Sequence, residues 1–343
     1  MRRFVAFAVA QGLVASAACS DGASRGTARS SSSASTSTPV EAVDASPVDG
    51  SEAGAIDAAS AASADGGPGE DAGTSVGFLR IAQFSTAVPA ADFCVAAPAG
   101  SAFRGPLLGQ LAIALGASPD AGLGVLAYER VSTYFTVDAG PLDVRLVPAG
   151  AAGCDEALGN DAGAGDGGLG AFESTALPAL AGGAFVTILL LDGPSGGPVW
   201  GAITDDGALP SGAAALRAVN ALTGSGPLDF GFGSFDAGWE PLFTNVLFGA
   251  ASTVAALAEG TVDTNGYLPV APFSDVELSA RASADASADV ASGLASAPFG
   301  SLVTVFAVAP ASAGAAQAQL LSCMDNAPAV GVLTDCAPAE AQR

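Results

Sequence analysis

Five short apolar blocks occur twice in this chain, in the same order. Leu79-Arg80-Ile81-Ala82-Gln83 is answered by Leu216-Arg217-Ala218-Val219-Asn220, and twelve residues after each Arg stand Asp92-Phe93 and Asp229-Phe230. Val125-Leu126-Ala127-Tyr128 is answered by Val246-Leu247-Phe248. Leu142-Asp143-Val144-Arg145-Leu146 matches Ser274-Asp275-Val276-Glu277-Leu278, and Phe185-Val186-Thr187-Ile188-Leu189 matches Leu302-Val303-Thr304-Val305-Phe306. Such an ordered series reads as a tandem duplication, so whatever fold one copy takes the other should take too.

Each block has the pattern of a strand. Leu142, Val144 and Leu146 fall on one face of an extended chain while Asp143 and Arg145 fall on the other, as expected of a sheet with one wet side. The run 184–191 (AFVTILLL) is apolar almost throughout; it predicts a central strand covered on both faces and is too short to cross a bilayer as a helix. Turn residues lie between the blocks, such as Asp138-Ala139-Gly140-Pro141 and Thr264-Asn265-Gly266. Short strands separated by turns predict an all-β protein with one antiparallel β-sandwich per copy. The copies differ by insertions at 98–122, about 252–264 and 281–297, expected as surface loops or short helices, with Leu107 to Leu115 as one helical stretch.

The N-terminus predicts export. Arg2 and Arg3 precede an apolar stretch from Phe4 to Ala18 that has signal-peptide length. It ends in Ser16-Ala17-Ala18-Cys19, which resembles a bacterial lipobox, with Ser16 in place of the usual Leu. That resemblance implies Cys19 as an acylated mature N-terminus, and Ser20 after it implies sorting to the outer membrane; the alternative is ordinary cleavage and secretion. Residues 20–75 carry nine acids, two arginines and almost no large apolar side chains. They read as a disordered acidic tether, spanning on the order of 40 Å by random-coil scaling.

Composition excludes much chemistry. There is no His, and all 11 basic residues are Arg, so neither a Ser-His-Asp system nor a Schiff-base lysine can form. With 34 acids the formal charge is −23, which opposes nucleic-acid binding. No cofactor is implied. Apart from Cys19, the four cysteines Cys94, Cys154, Cys323 and Cys336 predict two disulfides in an exported chain. Three pairings exist; the favoured one joins Cys94 to Cys154 and Cys323 to Cys336. A metal role is disfavoured because no C-x-x-C pair or His is present.

Three weaker candidates remain. Asn160, Asp161 and Asp166 lie in a Gly-rich stretch that could wrap calcium, although it lacks a full ligand register and reads mainly as an acidic loop. Asp205-Asp206 is a weaker version of the same signal. Asp92 and Asp229, beside Phe in matched strands, read as structural or strand-edge residues. Trp200, Trp239 and Tyr267 have the chemistry to stack on a sugar, yet isolated aromatics more often pack in a core.

The opening Arg-bearing strand, the Asp-aromatic strand, the segment Ala127-Tyr128-Glu129-Arg130-Val131-Ser132-Thr133-Tyr134 and the strand ending Val147-Pro148-Ala149-Gly150 resemble the "domain of unknown function" family 4397 of bacterial secreted proteins and lipoproteins. Its members open on a strand like Arg-Val-Val-His-Ala-Ser-Pro followed by Val-Asp-Val-Tyr. This chain lacks that His and has Phe93 or Phe230 after the Asp. The resemblance covers about residues 77–310, implies a tandem immunoglobulin-like pair on the cell surface, and carries over no catalytic residue.

The sequence therefore predicts a signal peptide (1–18), a lipidated Cys and acidic linker (19–75), two sandwiches (76–204 and 205–320) and a disulfide-closed tail (321–343). The expected function is non-enzymatic: a cell-surface lipoprotein with a structural or adhesive role, touching the membrane through its lipid and an envelope protein or glycan of unknown identity. The alternative is a carbohydrate or small-ligand binding module on the same tether, with a carboxylate hydrolase a distant third.

Overall fold

The computed structural model describes residues 75–97, 102–116, 124–156, 158, 177–205, 213–233, 238–256, 260–310, 318–326, 333–334 and 336–338. Cys19, the tether, the calcium candidates Asn160, Asp161 and Asp166, and Asp206 lie outside them. Sixteen strands and one helix make up the order β1 (Val76–Phe84), β2 (Ala91–Ala96), α1 (Leu107–Ala114), β3 (Arg130–Val131), β4 (Phe135–Asp138), β5 (Asp143–Pro148), β6 (Phe185–Asp192) and β7 (Pro198–Asp205), then β8 (Ala214–Asn220), β9 (Leu228–Phe232), β10 (Glu240–Val246), β11 (Leu268–Val270), β12 (Phe273–Ala282), β13 (Asp285–Ala297), β14 (Leu302–Val308), β15 (Ala318–Met324) and β16 (Cys336–Pro338). Apart from α1, the described residues form an all-β fold.

Four of the five blocks that match in sequence occupy matching strands; Val125–Tyr128 lies outside the strands, with Leu126 making an isolated bridge to Ala91, whereas its counterpart Val246 ends β10. β1 runs parallel to β6 with Arg80 opposite Thr187, and β8 runs parallel to β14 with Arg217 opposite Thr304. On the far side, antiparallel β7 follows β6 and antiparallel β15 follows β14. β2 pairs with β5 and β9 with β12, both antiparallel. The sheets are thus mixed, with parallel contacts where the opening strand of each half meets its late central strand.

Local hydrogen bonds repeat as well. The Ser132 hydroxyl accepts from Ile81 N–H, and Ser252 does the same for Ala218 N–H. The Gln83 side chain donates to the Val88 carbonyl and accepts from Ser85 N–H, tying down the loop after β1; Asn220 binds Gly226 and Leu222 in the same way after β8.

Each half closes its own core. Leu79, Ile81, Ile188 and Leu190 point into the first, together with Phe93, Leu126, Val144 and Leu146; Leu216, Ala218, Val303 and Val305 point into the second, with Phe230, Leu242, Phe243 and Leu278. The opposite faces of the same strands build a third core. It joins Ala82, Phe84, Leu189, Leu191 and Ile203 of the first half to Val219, Phe306, Val308 and Leu321 of the second. This explains the unbroken apolar run of β6: alternate residues serve different cores, so neither face meets water.

The insertions diverge. Residues 107–114 form the expected helix. The expectation of a loop or short helix at 281–297 is corrected: this segment is the end of β12 and the thirteen-residue strand β13. Ala291, Ala295 and Ala297 are buried at even spacing, a period-two pattern that small residues express too weakly to stand out. β13 pairs with β12 on one side and meets β15 in parallel on the other. It thereby joins β9–β12 to β8–β14–β15 in one nine-stranded sheet, whereas β2–β5 in the first half stays a separate two-stranded sheet.

Candidate functional site

Four fully buried charges lie where the two halves meet. Arg80 shares its strand face with Ala82 and Phe84, and Arg217 shares its with Ala215 and Val219; both arginines are 0% exposed. Arg80 Nη2 donates to Asp325 Oδ1 at 2.5 Å, and Arg217 Nη2 donates to Asp205 Oδ1 at 2.5 Å. With Asp205 ending β7 of the first half and Asp325 following β15 of the second, each guanidinium is neutralised by the carboxylate of the other half. The contacts within a half are longer, 3.6 Å from Arg80 to Asp205 and 3.9 Å from Arg217 to Asp325.

Two hydroxyls complete each corner. Arg80 Nε donates to Thr187 Oγ1 at 2.7 Å, and that hydroxyl donates to Asp205 Oδ2 at 2.5 Å. Arg217 Nε donates to Thr304 Oγ1 at 3.1 Å, which donates to Asp325 Oδ2 at 2.6 Å. Tyr134 donates its hydroxyl to Asp205 Oδ2 and stacks its ring 4.7 Å from the Arg80 guanidinium. Tyr267 donates to Asp325 Oδ2 and lies 4.4 Å from the Arg217 guanidinium. The result is two Arg–Thr–Asp–Tyr sets related by a pseudo-two-fold arrangement.

Electrostatics follow from this geometry. Burial pushes the Asp205 carboxyl up, but the Arg80 and Arg217 charges and the Thr187 and Arg217 hydrogen bonds outweigh it and hold the group below its ordinary value. Burial drives the Tyr134 and Tyr267 hydroxyls well above the ordinary tyrosine value, so both stay protonated donors. For Arg80, burial favours the neutral form, yet Asp325 and Asp205 overcome it and hold the guanidinium charged. Every carboxylate oxygen here has a donor and no face is open to solvent. The chemistry available to this cluster is cohesion: breaking one partner leaves a buried charge uncompensated, at a cost of about 3–5 kcal/mol.

The two corners are not equally satisfied. Arg217 Nη1 also donates to the Thr204 and Asn265 carbonyls, whereas Arg80 Nη1 is buried without a hydrogen-bond acceptor. Loop length is the reason. In the second half, residues 253–265 separate Ser252 from the Gly266-Tyr267 pair and deliver the Asn265 carbonyl. In the first half Ser132, Thr133 and Tyr134 are consecutive, and the Ser132 carbonyl accepts from Thr334 Oγ1 instead.

The remaining candidates are placed as follows. Cys94–Cys154 and Cys323–Cys336 are bonded, the first linking β2 to the segment after β5 and the second joining β15 to β16. Asp92 is 1% exposed and caps α1: Oδ1 accepts from Leu108 and Phe93 N–H, and Oδ2 from Gly109 N–H. Burial pushes its carboxyl up despite these bonds. Asp229 is half-buried and accepts from Asn245 N–H and the Ser283 hydroxyl. Tyr267 belongs to the buried network, Trp239 lies under the Arg281 guanidinium at 4.3 Å, and Trp200 packs on the first core. Among the described residues no three His, Cys, Asp or Glu side chains cluster as metal ligands.

The network itself was not anticipated. Asp205 had been weighed only with its neighbour Asp206, and Asp325 lies in the segment read as a tail. The available signal was the matched pair of arginines and matched threonines flanked by apolar residues in the strands, since a buried charge demands a buried partner. No protein-family model matches the chain, and no curated protein matches it either.

Proposed function

We propose that this protein is an exported, lipid-anchored and non-enzymatic scaffold that holds a stiff two-domain body away from a bacterial outer membrane. The observation that carries this reading is the crossed Arg80–Asp325 and Arg217–Asp205 pairing. It directs the most costly buried polar groups to rigid coupling of the halves, which is what a spacer or adhesive stalk requires. Two disulfides, one in each half, fit an oxidising compartment. The lipobox-like Ser16-Ala17-Ala18-Cys19 supplies the anchor and residues 20–75 the tether. The matched strand order supports reading the halves as tandem immunoglobulin-like domains and keeps the resemblance to family 4397 as a working assignment.

Intact mass and detergent partition of the mature chain test this. The expected species starts at acylated Cys19, lacks two pairs of hydrogens and enters the detergent phase. A mature N-terminus elsewhere, with no lipid mass, overturns the anchor. For the scaffold role, a glycan array is expected to show no saccharide binding that depends on Trp239; binding abolished by Trp239→Ala overturns a purely structural role.

A further inference from the structure

A cleft of about 260 Å³ lies beside α1, lined by Asp92, Gly109, Ala112, Ile113, Val125 and Ala151 among others. Among the described residues that line it, Asp92 is the only charged one. The Phe93 and Leu108 N–H groups donate to Oδ1 and the Gly109 N–H to Oδ2, and among the described residues no cation pairs with the carboxylate. A carboxylate oxygen has two lone pairs, so Oδ2 keeps one acceptor position. Gly109 leaves that position open, because a Cβ there would stand 3.2 Å from Asp92 Oδ2. Glycine inside a helix costs roughly 1 kcal/mol against alanine, so its presence on this face has a local purpose. At the rim Ile113 is 58% exposed, with Leu115 beyond it at 59%.

We propose that this cleft binds a small amphiphile carrying a primary ammonium group: the ammonium donates to Asp92 Oδ2 and the short aliphatic part lies along Ala112, Ile113 and Val125. The volume falls below the roughly 300–1,000 Å³ of drug-sized sites, so the ligand is small. The chain's charge of −23 steers cations toward the protein.

The test uses the full oxidised chain and three probes of equal length, n-pentylamine, 1-pentanol and pentanoate, titrated while amide resonances of α1 are followed. A charge-assisted hydrogen bond predicts that the amine binds about ten- to hundredfold more tightly than the alcohol, and that pentanoate does not bind. Gly109→Ala, a substitution that favours the helix, is expected to cover Oδ2 and remove the preference for amine. Ile113→Arg, at an exposed position, is expected to weaken the amine by a similar factor with no change in unfolding midpoint. Equal affinities for amine and alcohol, no saturable binding of the amine, or an amine affinity unmoved by both substitutions overturns the proposal.

Discussion

The two halves share the parallel register of β1–β6 and β8–β14 but use their insertions in opposite ways. In the first, the insertion after β2 becomes a helix whose N-terminus is capped by Asp92, and an open cleft results. In the second, the insertion after β12 becomes β13, which joins two sheets into one. A longer loop there also lets Asn265 reach Arg217, while Arg80 keeps a buried N–H without an acceptor. The lesson is that strand register places the charged groups, and loops decide how completely each is satisfied.

The largest effects should come from the network, and they should be unequal. Arg80→Met and Arg217→Met each leave a carboxylate buried without its closest cation, costing about 3–5 kcal/mol. Arg217→Met should cost about 1 kcal/mol more, because two backbone carbonyls also lose a donor. Urea unfolding midpoints check this; equal losses would mean that the extra carbonyl contacts are energetically silent.

Next come the disulfides, one to each half. They close separations of 60 and 13 residues, so chain-entropy scaling gives about 4 kcal/mol for Cys94–Cys154 and about 3 kcal/mol for Cys323–Cys336. Paired Cys→Ala variants in thermal unfolding should fall in that order. The reverse order would point to residual structure in the unfolded first half.

A smaller contrast lies beside the tyrosines. Gly266 has φ +93°, and an added Cβ would stand 2.8 Å from the Ser252 carbonyl oxygen. Gly266→Ala should cost about 1–3 kcal/mol through backbone strain and overlap. Thr133 precedes Tyr134 as Gly266 precedes Tyr267 but already carries a side chain, so Thr133→Ala should have little effect. Calorimetry on both variants separates the two.

The smallest effects concern pH. Burial pushes the Asp192 carboxyl up, yet bonds from Ser85, Thr86 and Ala87 hold it below its ordinary value of 3.8. A lowered folded value means stabilisation at neutral pH that is lost as pH falls below the ordinary carboxylate range. Asp192→Asn should lower stability at neutral pH and flatten the acid limb of the curve. Asp92 has the opposite sign: its raised value gives stability present at low pH and lost as pH rises through the folded value. Asp92→Asn should therefore leave the acid limb unflattened, and flattening by both would break the contrast.

Legibility in the sequence followed side-chain size and spacing. The blocks around Arg80, Asp92, Thr187 and their counterparts were readable because large apolar residues alternate there, and the helix at 107–114 was readable from its run of Leu, Ile and Ala. β13 was missed because alanine and serine mark a buried face only faintly. The cleft was invisible since it depends on how α1 sits against Asp92.

The sequence by itself determined the strands marked by large apolar residues, their duplicate order, the cysteine content and the absence of histidine and lysine, all of which are local or compositional. Only the tertiary structure decided that Arg80 is neutralised by Asp325, 245 positions away, and Arg217 by Asp205. Period-two alternation says that a side chain is buried, but not which of two cores receives it. That choice depends on how the two halves face each other, a long-range arrangement to which spacing along the chain is blind.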